Sequence, residues 1–214
     1  KQQSELAYLQ SQINPHFLAN ALETVQMKAI INGQRDIGEM IGMLGRLFRI
    51  HIQTGKETVP LAEELAHIRL YVKIQKMRFQ DKIQYVEQLN PGTESLCVIH
   101  FSLQPLIENA IIHGLERLTG SGLLEVTAEL SEGELLIRVR DNGVGICEEK
   151  LTNIRSRLAT QSDTLDGLHI GIKNVHDRIQ FYYGDKYGLD IRSEPGLGTT
   201  VTMRIPALFS AKGT

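Results

Sequence analysis

The hydrophobic period of this chain changes near residue 81, and that change constrains the fold more than any other feature. Before it, Leu6, Leu9, Ile13, Phe17, Ala21 and Val25 recur at steps of three and four, the spacing of one helix face. A second stripe of Ile37, Met40, Ile41, Leu44, Leu47, Phe48 and Ile52 predicts a helix from about Asp36 to Gln53, punctuated by Gly33 and Gly55. Pro60 reads as a first-turn proline opening a third helix, with Glu63 and Glu64 in its first turn and apolar residues continuing to about Phe79. Helices this amphipathic need partners, and a hairpin that dimerises into a bundle meets that need economically.

After Asp81 the period falls to two. Leu124, Val126, Ala128 and Leu130 alternate with polar residues, as do Leu135, Ile137 and Val139, and then Val201, Met203 and Ile205. Segments 83–89, 97–100 and 188–193 are weaker strand candidates, and helices are expected at about 102–115, 148–159 and 170–183. Strands that alternate in this way bury one face, so helices should cover one side of the sheet. The expected class is α+β, with a helical unit over 1–80, a layered unit over 81–209 and a tail at 210–214. The polar stretch TQSDTLDG, 160–167, is the best loop candidate.

Composition narrows the function classes. A net charge of −2 argues against general affinity for nucleic acid or anionic membrane. The two cysteines, Cys97 and Cys147, are far apart and lack metal-ligand spacing, which suggests free thiols in a reducing compartment. The apolar runs are too short to cross a bilayer. The chain starts with Lys1, so it is expected to be part of something longer, with any membrane segment upstream. His51, His67, His100 and His176 show no partner pattern and read as structural or exposed, and Met27, Met40, Met43 and Met77 fit core filling.

Three clusters in the second unit could carry chemistry. In QPLIENAIIHG, 104–114, a helix would bring Glu108, Asn109 and His113 within little more than a turn, although a solvated polar face would look the same. In DNGVGI, 141–146, Asp141 ends a strand and could accept a hydrogen bond from an amino group. Gly143 and Gly145 would let backbone approach a ligand, although such turns also close ordinary hairpins. In HIGIKNV, 169–175, Gly171 stands at a helix start whose free amides could hold a phosphate, and PGLGTT, 195–200, adds glycines before the last strand. There is neither a GxxxxGK[ST] loop nor a protein-kinase motif set. In the first unit, INPHFL, 13–18, sets a proline beside His16 within a helical pattern, where the helix must end or bend.

The order of the motifs says more than any one of them. ENxxxHG, then DNGVGI, a loop, xGIxN and GxGT resembles the ATP-binding domain of the GHKL superfamily, which includes histidine kinases, gyrase, Hsp90-type chaperones and mismatch-repair ATPases. INPHFL with Asn20 and Leu22, LAEELAHIRLYVKIQKMRFQDK at 61–82, and IGIKNVHDRIQFYYGDKYGLDIRSEPGLGT at 170–199 resemble bacterial sensor histidine kinases of the LytS/YesM type. The resemblance implies an N-terminal dimerising helical hairpin followed by a GHKL-type α/β sandwich, a mixed sheet covered on one face by helices. It implies autophosphorylation of His16 from Mg²⁺-ATP and transfer to the aspartate of a response-regulator receiver domain, with the proline bend helping to present the His16 ring.

By the same resemblance Asn109 would ligate Mg²⁺, Asp141 would accept the adenine amino hydrogen, and Gly143 and Gly145 would floor the adenine pocket. Thr199 would help hold Asp141 and a water, Gly171 would line the phosphates with His113 and Lys173 near them, and Glu108 would be the base or orienting acid. Residues 147–168 would form a lid. Asn20, one helical turn past His16, could orient a water for dephosphorylation, a role suggested by spacing. The sequence departs from the family pattern at Phe17, where many histidine kinases have an acid, at Ala19, where an aromatic is usual, and at His169, where glycine is frequent. The implied protein is the cytoplasmic portion of a bacterial membrane sensor, homodimeric through its N-terminal helices. Two other readings are a GHKL-type ATPase in which Glu108 activates water, and a non-catalytic ATP-binding dimeric scaffold.

Overall fold

The computed structural model describes residues 15–53, 56–79, 82–160 and 170–209. The apolar positions 6, 9 and 13, Gly55, residues 161–169 including most of the expected loop and His169, and residues 210–214 lie outside them. Helix α1 (Pro15–Ile31) begins at the proline itself, where a missing N–H costs nothing. It ends in a glycine cap: Gly33 takes φ 76°, its N–H donates to Ile30, and the Gln34 N–H reaches back to Ala29. Helix α2 (Arg35–Gln53) returns against α1. Gly38 and Gly42 let the helices close, since a Cβ on Gly38 would meet Ile30 at 2.8 Å and one on Gly42 would run into Gln26. Arg49 reaches across to Glu23 at 2.9 Å.

The hairpin leaves much apolar surface uncovered. Met43 and Leu47 are buried, but Val25, Met27, Ile30, Ile31, Ile37 and Leu44 are exposed. The expectation that Met27 fills a core is therefore corrected, because it lies on the outer side of α1, more than half exposed.

A short strand, β1 (Thr58–Pro60), precedes helix α3 (Leu61–Arg78) and pairs antiparallel with β3 (Cys97–Ile99). Pro60 thus sits at the N-cap, one residue earlier than a first-turn proline. Helical spacing groups 57–78 with the first unit, yet Leu61, Leu65, Ile68 and Val72 share one buried cluster with the strands. Arg69 clamps Glu87 with two nitrogens, the closer pair 2.6 Å apart, and Lys73 reaches Glu39 on α2 at 2.7 Å. Helix α3 therefore bridges hairpin and sheet.

The sheet contains β2 (Ile83–Leu89), β4 (Gly122–Ser131), β5 (Glu134–Asp141), β6 (Gly188–Glu194) and β7 (Gly198–Pro206), in the order β2-β4-β5-β7-β6. Only the β2–β4 pair is parallel, so the sheet is mixed. The weaker strand candidates are all strands. Alternation sends Leu124, Val126, Ala128, Leu135, Ile137, Val139, Val201, Met203 and Ile205 to one face. Each of these side chains except the small Ala128, fully buried, contributes about 1.5–3 kcal/mol of transfer free energy. Covering that face are α4 (Gln104–Asn109), α5 (Glu148–Ala159) and α6 (Ile170–Tyr183). On α6 the buried residues are Ile172, Val175, His176 and Ile179, with Tyr183 partly packed on the core. Tyr182 turns outward and bonds Glu57, because 100° per residue carries the buried face on to position 183. Both cysteines are free thiols.

Candidate active site

The period of two that buries β5 also explains its last residue. Asp141 is in phase with Leu135, Ile137 and Val139, so its carboxyl points toward the core face and is 3% exposed. Burial pushes its pKa up to about 6, against the hydrogen bonds from the Gly143 and Thr199 amides, which favour the charged form. The Gly143 N–H donates to Oδ1 at 2.8 Å. This is a charged acceptor at the bottom of an apolar cavity, an arrangement suited to recognising an amino group.

The cavity is walled by Leu106, Ala110, Val139, Ile146, Ile154, Ile172, Ile191 and Val201, and its polar lining includes Asn109, His113, Asp141 and Thr199. Gly145 is also in the wall, at φ 69°, with its α-carbon so close to the Glu194 carbonyl that a side chain has no room. Gly114 lies against the Asp141 carboxylate and receives the Val144 N–H at its carbonyl, and Gly143 packs directly onto the Gly114 backbone. Ser193 secures the turn from the other side. Its hydroxyl accepts from the Ile146 N–H at 2.9 Å, donates to the Gly198 carbonyl at 2.8 Å and lies 2.9 Å from the Thr199 hydroxyl.

The helix carrying Asn109 changes winding. It is α-helical to Asn109, and Ala110–Leu115 forms a wider π turn in which the Glu116 N–H reaches Ile111. One continuous helix over 102–115 is therefore corrected to an α segment followed by a π segment. The Asn109 Nδ2 donates to the Pro105 carbonyl at 2.6 Å, which leaves the amide oxygen as the group to face a ligand. One neutral oxygen at the cavity fits Mg²⁺, which takes few protein ligands and keeps other oxygen ligands of its own. Gly171 adjoins this amide, since a Cβ there would stand 3.7 Å from the Asn109 Nδ2. Gly171 is the second residue of α6 rather than the one before it. Burial, with Lys150 and Arg117 nearby, holds the His113 pKa below its ordinary range.

The structure thus brings Asn109, His113, Asp141, Gly145 and Thr199 around one cavity, with Gly171 at its edge. Gly143, Glu108 and Lys173 are not on its wall: Glu108 accepts from Gln104 at 2.8 Å, and Lys173 is paired with Asp177. His16 lies in the first turn of α1, and Asn20 is exposed one turn later. Sequence reasoning assigned no role to Gly114 or Ser193. A glycine pair meeting across a turn leaves no spacing signature.

The comparisons agree with this geometry. Residues 4–83 match the family model described as histidine kinase, and residues 99–208 match that of histidine kinase-, DNA gyrase B- and HSP90-like ATPases. Sensor histidine kinase YesM of Bacillus subtilis (strain 168) is 35% identical over 204 residues, covering 95% of this chain and 33% of the relative. Sensor histidine kinase BtsS of Escherichia coli (strain K12) is 32% identical over 205 residues, covering 95% and 34%. The chain thus spans about a third of the length of these relatives. Among solved structures, the histidine kinase domain of the Erythrobacter litoralis EL346 blue-light activated histidine kinase superposes with a TM-score of 0.50 at 17% identity, over 95% of this chain and 91% of that one. The catalytic domain of histidine kinase ThkA gives 0.51 at 16% identity, over 72% and 99%. These two likenesses establish the fold. With both family models matched in order along a chain whose sheet ends in a buried aspartate beside Asn109, the protein belongs to the histidine kinase family and carries its GHKL-type ATP-binding domain.

Proposed function

We propose that this chain is the kinase core of a two-component sensor, which binds Mg²⁺-ATP in the cavity below β5 and phosphorylates His16. The observation that carries the reading is the Asp141 carboxylate, buried on the core face at the head of an apolar cavity and held by two backbone amides. The cavity is the right chemistry for adenine: apolar walls stack against the ring, and Asp141 accepts from its amino group. Gly114 and Gly145 put no side chain into the wall, and Gly143 packs on the backbone of Gly114 behind it. Thr199 holds Asp141 through its amide, and its hydroxyl is oriented by Ser193.

The phosphates would then run toward Asn109, His113 and the first turn of α6, where the positive end of the helix dipole favours anions. The Asn109 oxygen would hold Mg²⁺, which, when bound, neutralises charge on the phosphates. A His16 ring nitrogen attacks the γ-phosphorus, a P–N bond forms, the bond to the β–γ bridging oxygen breaks, and ADP leaves. The imidazole proton passes to a base, for which Glu108 is the candidate. Lys173 would lie near the phosphates, and Asn20 would orient a water for dephosphorylation.

The uncovered apolar side of α1 and α2 supports homodimerisation through the hairpin. We take 1–80 as the dimerisation and phosphotransfer unit and 81–209 as the ATP-binding unit, with α3 lending its apolar side to the second. Among the described residues no helix is long and apolar enough to cross a membrane. In the whole protein, sensing and any membrane attachment would belong to segments before this one, and the phosphoryl acceptor would be a receiver-domain aspartate.

The test is phosphotransfer. The chain is incubated with γ-labelled ATP and Mg²⁺, freed of nucleotide and mixed with a receiver domain. Label that leaves this chain and appears on the receiver supports the reading. Phosphate release without protein-bound label supports a GHKL ATPase instead, and ATP binding with neither supports a scaffold.

A further inference from the structure

Outside the nucleotide cavity, three ligand-type side chains converge where α3 meets the corner between β3 and α4. Glu64 and His67 are three residues apart on α3, which puts them on one face, and His100 enters from the corner. One potential donor atom from each residue lies within 4.8 Å of the other two. All three side chains are sequestered, at 1%, 9% and 3% exposure, and the two imidazoles meet edge to face with centroids 5.6 Å apart. None of the three lines the nucleotide cavity.

We propose that Glu64, His67 and His100 form a divalent transition-metal site, with Zn²⁺ the ion its donor set suits. Two imidazole nitrogens and a carboxylate oxygen are a zinc-type set, whereas Mg²⁺ and Ca²⁺ take oxygen ligands. Metal–ligand bonds of about 2.0–2.2 Å put tetrahedral ligand atoms about 3.3–3.5 Å apart, so modest rotations of the two rings close the site. The Glu64 oxygens accept the Phe101 and Leu103 amides at 3.0 and 3.1 Å. The Ser102 amide also bonds this carboxylate, which leaves one of its four lone-pair sites for a metal without breaking those bonds. A carboxylate buried to 1% exposure gains most from a nearby cation.

The site would act by holding a corner in place. Phe101 stands at φ 55°, a left-handed conformation unusual for a bulky residue, and its ring centroid lies 3.7 Å from that of His100. The His100 carbonyl accepts from Arg178 on α6 at 3.0 Å. Helix α4, which carries Asn109, leaves directly from this corner. A metal bridging α3 to it would fix the start of the helix that faces the nucleotide, without touching the nucleotide.

The experiment is equilibrium dialysis of the chelator-stripped 214-residue chain against Zn²⁺, with metal counted by mass spectrometry. The expected result is one Zn²⁺ per chain, with affinity lowered at least about tenfold in H67Q, H100Q and E64Q and kept in C147S, which removes an exposed thiol. Circular dichroism establishes that each variant folds. Because a buried variant can fail to fold, an anomalous difference map at the zinc edge from crystals of the unaltered chain is the second readout, with a peak expected among the three side chains. Sub-stoichiometric binding, a peak elsewhere, or unchanged affinity in folded H67Q and H100Q overturns the proposal.

Discussion

The α-carbon of Gly114 faces the Asp141 carboxylate so closely that a methyl group there would stand 2.6 Å from Oδ1. Helix and strand thus meet at a point where neither has space to yield. In G114A the carboxylate must rotate away from the Gly143 amide or the π turn must lift. Overpacking of this kind costs about 1–3 kcal/mol. The expected outcome is a lower denaturation midpoint and ATP affinity reduced at least tenfold by calorimetry. Wild-type affinity in G114A would show that the cavity head tolerates displacement.

Gly198 supplies a separate test of the same region. It stands at φ 103° with its α-carbon packed against the Asp141 carbonyl, so an added methyl meets backbone rather than a movable side chain. Strain and clash together should cost at least about 2 kcal/mol in G198A, read from chemical denaturation.

The Asp141 carboxyl makes ATP binding depend on pH. Its pKa in the folded protein is about 6, raised by burial. Below that value it is protonated and no longer a charged acceptor for the adenine amino group, so affinity should fall as pH drops below 6 and level off above 7. D141N should weaken binding by roughly 10–100-fold, the range for a hydrogen bond to a charged group, and should flatten the profile. Stability moves the other way. A raised folded pKa means that this group's contribution is full below the unfolded value near 4 and is lost as pH rises through 6. Calorimetric titrations from pH 5 to 8 and melts from pH 4 to 7 read the two effects separately.

The sequence put Asp141 at the end of a strand as a hydrogen-bond acceptor, and the order of the glycine motifs already suggested a nucleotide site; that the period of two carries Asp141 on to the core face emerged with the fold. Strand and helix positions were legible for the same reason, since alternation and stripes record which side is buried. What the sequence hid was contact between distant turns. Gly114 touches Asp141, Ser193 ties together the turns at 146 and 198, and Glu64 and His67 meet His100 from more than 30 positions away. His67 and His100 therefore read as isolated residues. The π turn was equally invisible, because its apolar spacing passes for an α-helix over six residues.

Asn20 is the residue one turn beyond His16 on an exposed stretch of α1. If it orients water, phosphorylated N20A should lose its label several-fold more slowly than the unaltered chain, with the rate of label gain unchanged. Equal rates of loss would remove Asn20 from the reaction.

Val25 and Leu44 are each about half exposed, on the two helices of the hairpin. If that surface joins two copies, V25E with L44E should shift sedimentation from dimer to monomer, with ATP binding preserved because neither residue lines the cavity.

In the proposed reaction, phosphate from ATP ends on His16. The chain and H16A are incubated with γ-labelled ATP and Mg²⁺, then treated with acid and with base. Label that is acid-labile, base-stable and absent from H16A is the predicted result. Phosphate released without protein-bound label, at the same rate in both, would contradict it.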